Sequence, residues 1–118
     1  MSWLFDRLSQ LADAETLEVT VTCAVDPRVE ALLNEAETLP STIVRRSAAA
    51  QATTNAARVV AADDDATIFE GLRSDLDLGI AVGAHAPSAH VTVHDMDDLV
   101  SLLATLFTLR SYVNASAT

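Results

Sequence analysis

The chain reads as a small single-domain α/β sandwich: a sheet of four or five strands, helices against it, and a long C-terminal amphipathic helix. Two observations predict this. A strand, a proline-marked turn and a helix follow one another within residues 17–39. Beyond them, apolar spacing switches repeatedly between strand and helix periods, in the order helix, β, α, β, α, β, α, β, β, α. A ferredoxin-like α+β arrangement is the alternative. One domain spans 1–118, with an N-terminal amphipathic helix in 1–15 and a frayed tail at 114–118.

Residues 3–14 carry Leu4, Leu8 and Leu11 on one helical face, with Asp6, Ser9 and Asp13 opposite. A membrane-surface helix would have basic residues on that polar face; this one has only Arg7 at its margin. In 17–25, Val19, Val21, Cys23 and Val25 alternate with Glu18, Thr20, Thr22 and Ala24, the period of a strand. Asp26 is a good N-cap, and Pro27 suits the first helical position, where a missing N–H costs nothing. Val29, Leu32, Leu33, Ala36 and Leu39 continue at helical spacing up to Pro40.

The middle of the chain is less sharply patterned. Ile43 to Arg45 reads as a short strand and 48–57, Ala-rich, as a helix. Residues 58–61 fit a third strand or the end of that helix. Asp63, Asp64 and Asp65 cap a helix through Ile68, Phe69 and Leu72. Leu78 to Val82, ending at Gly83, reads as a strand, 83–89 as a loop and 90–94 as the last strand. The final helix runs from about Asp95 to Val113. Asp95, Asp97 and Asp98 suit its N-terminus and Arg110 its last turn. Its apolar stripe is broad, so it is either a central core helix or part of a subunit interface. The interface candidates are Met96, Leu99, Leu103, Leu106 and Phe107.

Composition restricts function more than it specifies it. The 118 residues contain seven basic and seventeen acidic side chains, for a net charge of −10, and every basic residue is arginine. Phosphate contacts need clustered basic residues, so nucleic acid is not an expected partner, nor is an anionic membrane. The start lacks the basic region of a signal peptide. The longest apolar-rich run falls far short of the roughly 20 residues of a membrane span. A single cysteine, Cys23, fits a reducing, cytoplasmic setting, and a buried thiol without a nearby cation is inert.

Chemical motifs are sparse. His90 and His94 on a strand lie about 13 Å apart, too far for one ion with nitrogen bonds of about 2 Å. They line a solvent- or partner-facing edge, and no metal is expected. Neither aspartate cluster has the alternation of a calcium loop. There is no G-x-S-x-G elbow, no dinucleotide glycine pattern and no lysine for a phosphate loop, so no cofactor is expected and no catalytic residue is named. Arg45-Arg46 is the one basic cluster, able to clamp an anion or to pair with nearby acids.

Two readings follow. The first is a non-enzymatic interaction or regulatory module that pairs with itself, as a homodimer, or with another protein. The second is a ligand-binding or enzymatic α/β domain with Asp26, Arg45 and His85 at the C-terminal strand edges. A chain this acidic repels itself at low ionic strength. At about 1 M salt the Debye length falls to about 3 Å and the repulsion is screened. The composition therefore leads us to expect a cytosolic protein of a halophilic, high-GC organism, with an acidic protein of a GC-rich mesophile as the alternative. Raising KCl toward molar levels should raise the melting temperature and sharpen the transition seen by circular dichroism. An equally cooperative fold in dilute buffer, with no salt-dependent gain, would sink this reading.

Overall fold

Every strand pairs in parallel with its neighbours, and this decides between the two architectures. The computed structural model describes residues 3–22, 26–46, 56–72, 77–83 and 86–116. The elements are α1 (Trp3–Ala12), β1 (Leu17–Val21), α2 (Pro27–Ala36), β2 (Thr42–Arg45), β3 (Ala57–Ala62), α3 (Asp65–Gly71), β4 (Leu78–Val82), β5 (Val91–Val93) and α4 (Met96–Ser116). The sheet order is β2-β1-β3-β4-β5, with Val19 level with Val44 and Val59, and Ile80 level with Val91. The fold is α/β with the doubly wound order 2-1-3-4-5, not α+β. The helix expected over 48–57 lies almost wholly outside the described residues; Ala57 opens β3. Cys23 and His85 also lie outside them.

Helices cover both faces, as parallel sheets require. On one face Val19, Val21, Val59, Ala61, Leu78, Ile80 and Val82 pack under α1, α2 and α4. On the other, Val60, Ala62 and Ala81 pack with Ile68 of α3. Gly79 brings α3 close to the sheet. A Cβ there would lie 2.7 Å from Ile68 Cγ2, so a side chain at 79 would overpack this contact.

Local signals set the helix starts. Asp26 accepts the Arg28 N–H at 2.8 Å, with Pro27 in the first turn. Asp64 accepts the Thr67 N–H at 2.9 Å and its hydroxyl at 2.8 Å. Asp95 accepts the Asp98 N–H at 3.0 Å. All three caps lie at the C-terminal edge of the sheet, because each helix follows a strand.

The last helix resolves the choice left by its sequence. Leu99, Leu103 and Leu106 are fully buried and Phe107 nearly so, while Met96 is half-buried against the same core. The heptad-like stripe therefore faces the sheet, and α4 is a core helix along these positions. The expected interface set is corrected accordingly: its leucines are engaged by this chain's own core. The helix continues to Ser116, into the stretch expected to fray.

Arg110 is also not where its charge predicted. It does not cap its own helix, whose last turn holds no basic residue. Only 1 % of it is exposed, and it donates to carbonyls of two separate segments. These are Ala12 (3.1 Å), Ala14 and Glu15 (3.4 Å) after α1, and Pro40 (3.3 Å) and Ser41 (2.9 Å) before β2; its Nε also reaches the Thr42 hydroxyl at 3.0 Å. Burial lowers its pKa from the usual arginine value, yet an arginine stays charged. Its cation thus sits at the carbonyl end of α1, where the helix dipole favours it.

Replacing Arg110 with Leu would strand several buried acceptors, each at a cost of about 1–3 kcal/mol. We expect a loss of about 3 kcal/mol or more, read as a lower urea midpoint at unchanged slope. Lysine should recover only part of it, since one ammonium cannot span the same fork.

Candidate functional site

In an open parallel sheet, ligands bind beyond the C-terminal strand ends, near the point where strand order reverses. Here that point lies between β1 and β3. Asp26 follows β1, and Arg45 is the last residue of β2, so both stand at this edge as expected. The structure nonetheless turns them to different tasks.

Asp26 is bound within its own turn. Its carboxylate accepts from Arg28 Nε at 3.1 Å and from Nη2 at 2.9 Å. Arg28 also reaches Asp97 in the first turn of α4, pinning α2 to α4. The Arg28 side-chain bonds, and next its backbone N–H, hold the Asp26 carboxyl below the usual carboxylate range. The two acids in turn raise the Arg28 pKa.

Arg45 points to the face opposite α2. Its Nε donates to Glu18 Oε1. Glu18 is 2 % exposed and Arg58 3 % exposed, and Arg58 Nε lies 3.4 Å from Glu18 Oε2. The Arg58 backbone N–H is accepted by the buried Asp77 carboxylate at 3.0 Å. Three adjacent strands thus bury one ionic node, with Glu18 level with Arg58 in the ladder. Glu18 had read as the polar, outward side of β1. A carboxylate this deeply buried must be paired.

The Arg45-Arg46 pair does not act as one clamp. Successive strand residues point to opposite faces. Arg46 turns toward α2 and bonds Glu30, Glu37 and Asn34 at 2.7, 2.7 and 2.8 Å. These bonds raise its pKa, that to Glu37 most. Among the described residues, no hydrogen bond or ion pair joins Asp26 to Arg45, and both are engaged in internal pairs. His90 and His94 flank β5 and are exposed. No group of three or more metal-binding side chains occurs among the described residues. No described helix is long and apolar enough to cross a membrane.

A different feature lies beside α4. An open groove of about 590 Å³ runs between the end of α2 and the second half of α4, with Leu32, Leu39, Phe107 and Tyr112 in its walls. Among the described residues, Glu35 is its only charged lining residue, and Tyr112 is 69 % exposed. Leu32 and Leu39 had read as helix-stripe residues only. That they border open space depends on how α2 and α4 are set side by side, which no local pattern encodes.

Comparisons with protein-family models, with curated proteins and with solved structures return no match to this chain. The functional reading rests on its own geometry.

The Asp26 pair carries a definite sign. A carboxyl whose folded pKa is depressed adds stability above its unfolded value of about 3.9. That stability is lost as pH falls through the lower folded value. Asp26→Asn keeps a capping oxygen but removes the titrating charge. Its urea midpoint should therefore fall less steeply than that of the wild type as pH drops below about 4. At neutral pH the variant should be the less stable, by a small margin because Arg28 is half-exposed, and the margin should close as pH falls.

Proposed function

We propose that this chain is a non-enzymatic interaction module that pairs with a second copy of itself across the groove between α2 and α4. The observation that carries the reading is the groove's lack of charge. On a chain of net charge −10, Glu35 is the one acidic or basic side chain among the described residues that line this surface, which also presents Tyr112. Two copies repel each other least where such patches meet. An isologous, two-fold contact would set Tyr112 of each copy against the partner's α2. The residues committed to the interface are then Leu32, Leu39 and Tyr112, on the outer side of the helices, rather than the core leucines of α4. Molar salt, the setting that the lysine-free acidic composition supports, screens the remaining repulsion. In this reading the module works in the cytoplasm, and its dimer offers further surface to another protein.

Light scattering coupled to size exclusion in molar KCl tests this. The wild type should elute at twice its 12.5 kDa mass, and Tyr112→Glu should elute at the single-chain mass with its circular dichroism unchanged. A wild type that stays at the single-chain mass at high protein concentration overturns self-association. It would redirect attention to small ligands at the C-terminal edge near Asp26 and Arg45.

A further inference from the structure

We propose that His90 is a pH-sensitive latch that fastens the start of α1 to the edge of the sheet. The ladder between β4 and β5 begins at Ile80 and Val91, yet the contact extends one step earlier by an unusual route. The His90 N–H donates to Gly79 O at 2.9 Å. In return the Gly79 N–H donates to the His90 ring Nδ1 at 3.0 Å. A side-chain nitrogen thus takes the place of a backbone carbonyl in the ladder. That acceptor exists only on the neutral ring carrying its proton on Nε2, because both nitrogens of an imidazolium are donors.

The same ring faces α1. The Trp3 and His90 rings lie 6.2 Å apart at 42°, and the Arg7 guanidinium sits 5.1 Å from the Trp3 ring centre. Arg7 also donates to the Asp77 carbonyl at 3.3 Å, tying α1 to the approach of β4. The charged groups facing this corner are therefore Arg7 from α1 and Asp77 ahead of β4. The Asp77 carboxylate accepts the Arg58 N–H at 3.0 Å.

Protonation does two things here. It removes the acceptor for the Gly79 N–H, and Gly79 is a buried residue, where an unmade bond is costly. It also places a second cation against the indole that already holds Arg7. Imidazole is the side chain whose charge ordinarily changes between about pH 5 and 8. The latch is closed when the ring is neutral and opens on acidification. Only the first turns of α1 are released. Leu8, Leu11 and Ala12 remain buried, and Arg110 still holds the Ala12 carbonyl.

Trp3 is the only tryptophan and reports on the latch directly. Its emission should change in a single-proton step as the full chain is acidified from mildly alkaline to mildly acidic pH. Over the same step, hydrogen exchange followed by NMR should show the Gly79 amide losing about tenfold in protection relative to Ile80. His90→Asn supplies an acceptor oxygen close to the Nδ1 position that does not titrate. In that variant both changes should vanish while circular dichroism stays as in the wild type. A Gly79 amide equally protected at both ends of the titration would overturn the latch, even if imidazolium quenches Trp3. So would a pH step that persists in His90→Asn.

Discussion

The buried guanidinium of Arg110 is the interaction on which the rest of the fold depends. α1 ends and β1 begins within a few residues, and the carbonyls between them have no helical partner. The turn before β2 meets them at the same place, with Ser41 at φ 53°, a left-handed conformation that a non-glycine residue holds only under constraint. One arginine from the far end of the chain collects these carbonyls. Leu17 N–H adds a bond to Ser41 O at 3.0 Å. The charge has no buried carboxylate beside it in this set of contacts; it is solvated by backbone dipoles.

That arrangement explains why α4 is long. Twenty-one residues span about 31 Å at 1.5 Å per residue. The helix therefore starts at the C-terminal edge of the sheet, beside Asp26 and Arg28, and delivers Arg110 to the opposite edge. Between these ends its leucines fill the core beneath α1 and α2. The two edges then differ in character. The N-terminal edge is closed by Arg110 and by the Arg7, Trp3 and His90 corner. The C-terminal edge is a row of helix starts capped by Asp26, Asp64 and Asp95. An acidic chain places its carboxylates where helix dipoles favour them.

Much of this was legible in particular residues. Asp26-Pro27 announced α2, the aspartates at 63–65 announced α3, and Val19 and Val21 announced β1, because caps and alternation act within a few residues. The site was much less legible. Asp26 and Arg45 both stand at the C-terminal edge of the sheet, but Arg28 and Glu18 were not seen as their partners. Glu18 and Arg58 lie 40 positions apart in the chain and become neighbours only through strand register. His90 read as an edge histidine; its bond to Gly79 depends on where β5 begins. Tyr112 read as nothing in particular, and it stands beside a groove only because α2 and α4 run next to each other.

By itself, the sequence determined the helix starts, most of the strands and the strong negative charge, since these follow from short-range periodicity, caps and composition. Only the tertiary structure decided that all strands are parallel, and with that the fate of each charged strand residue. Glu18 and Arg58, buried on adjacent strands, therefore had to find partners within the fold, as did Arg110 on α4, and partners of that kind come from strand order and helix placement rather than from neighbours along the chain.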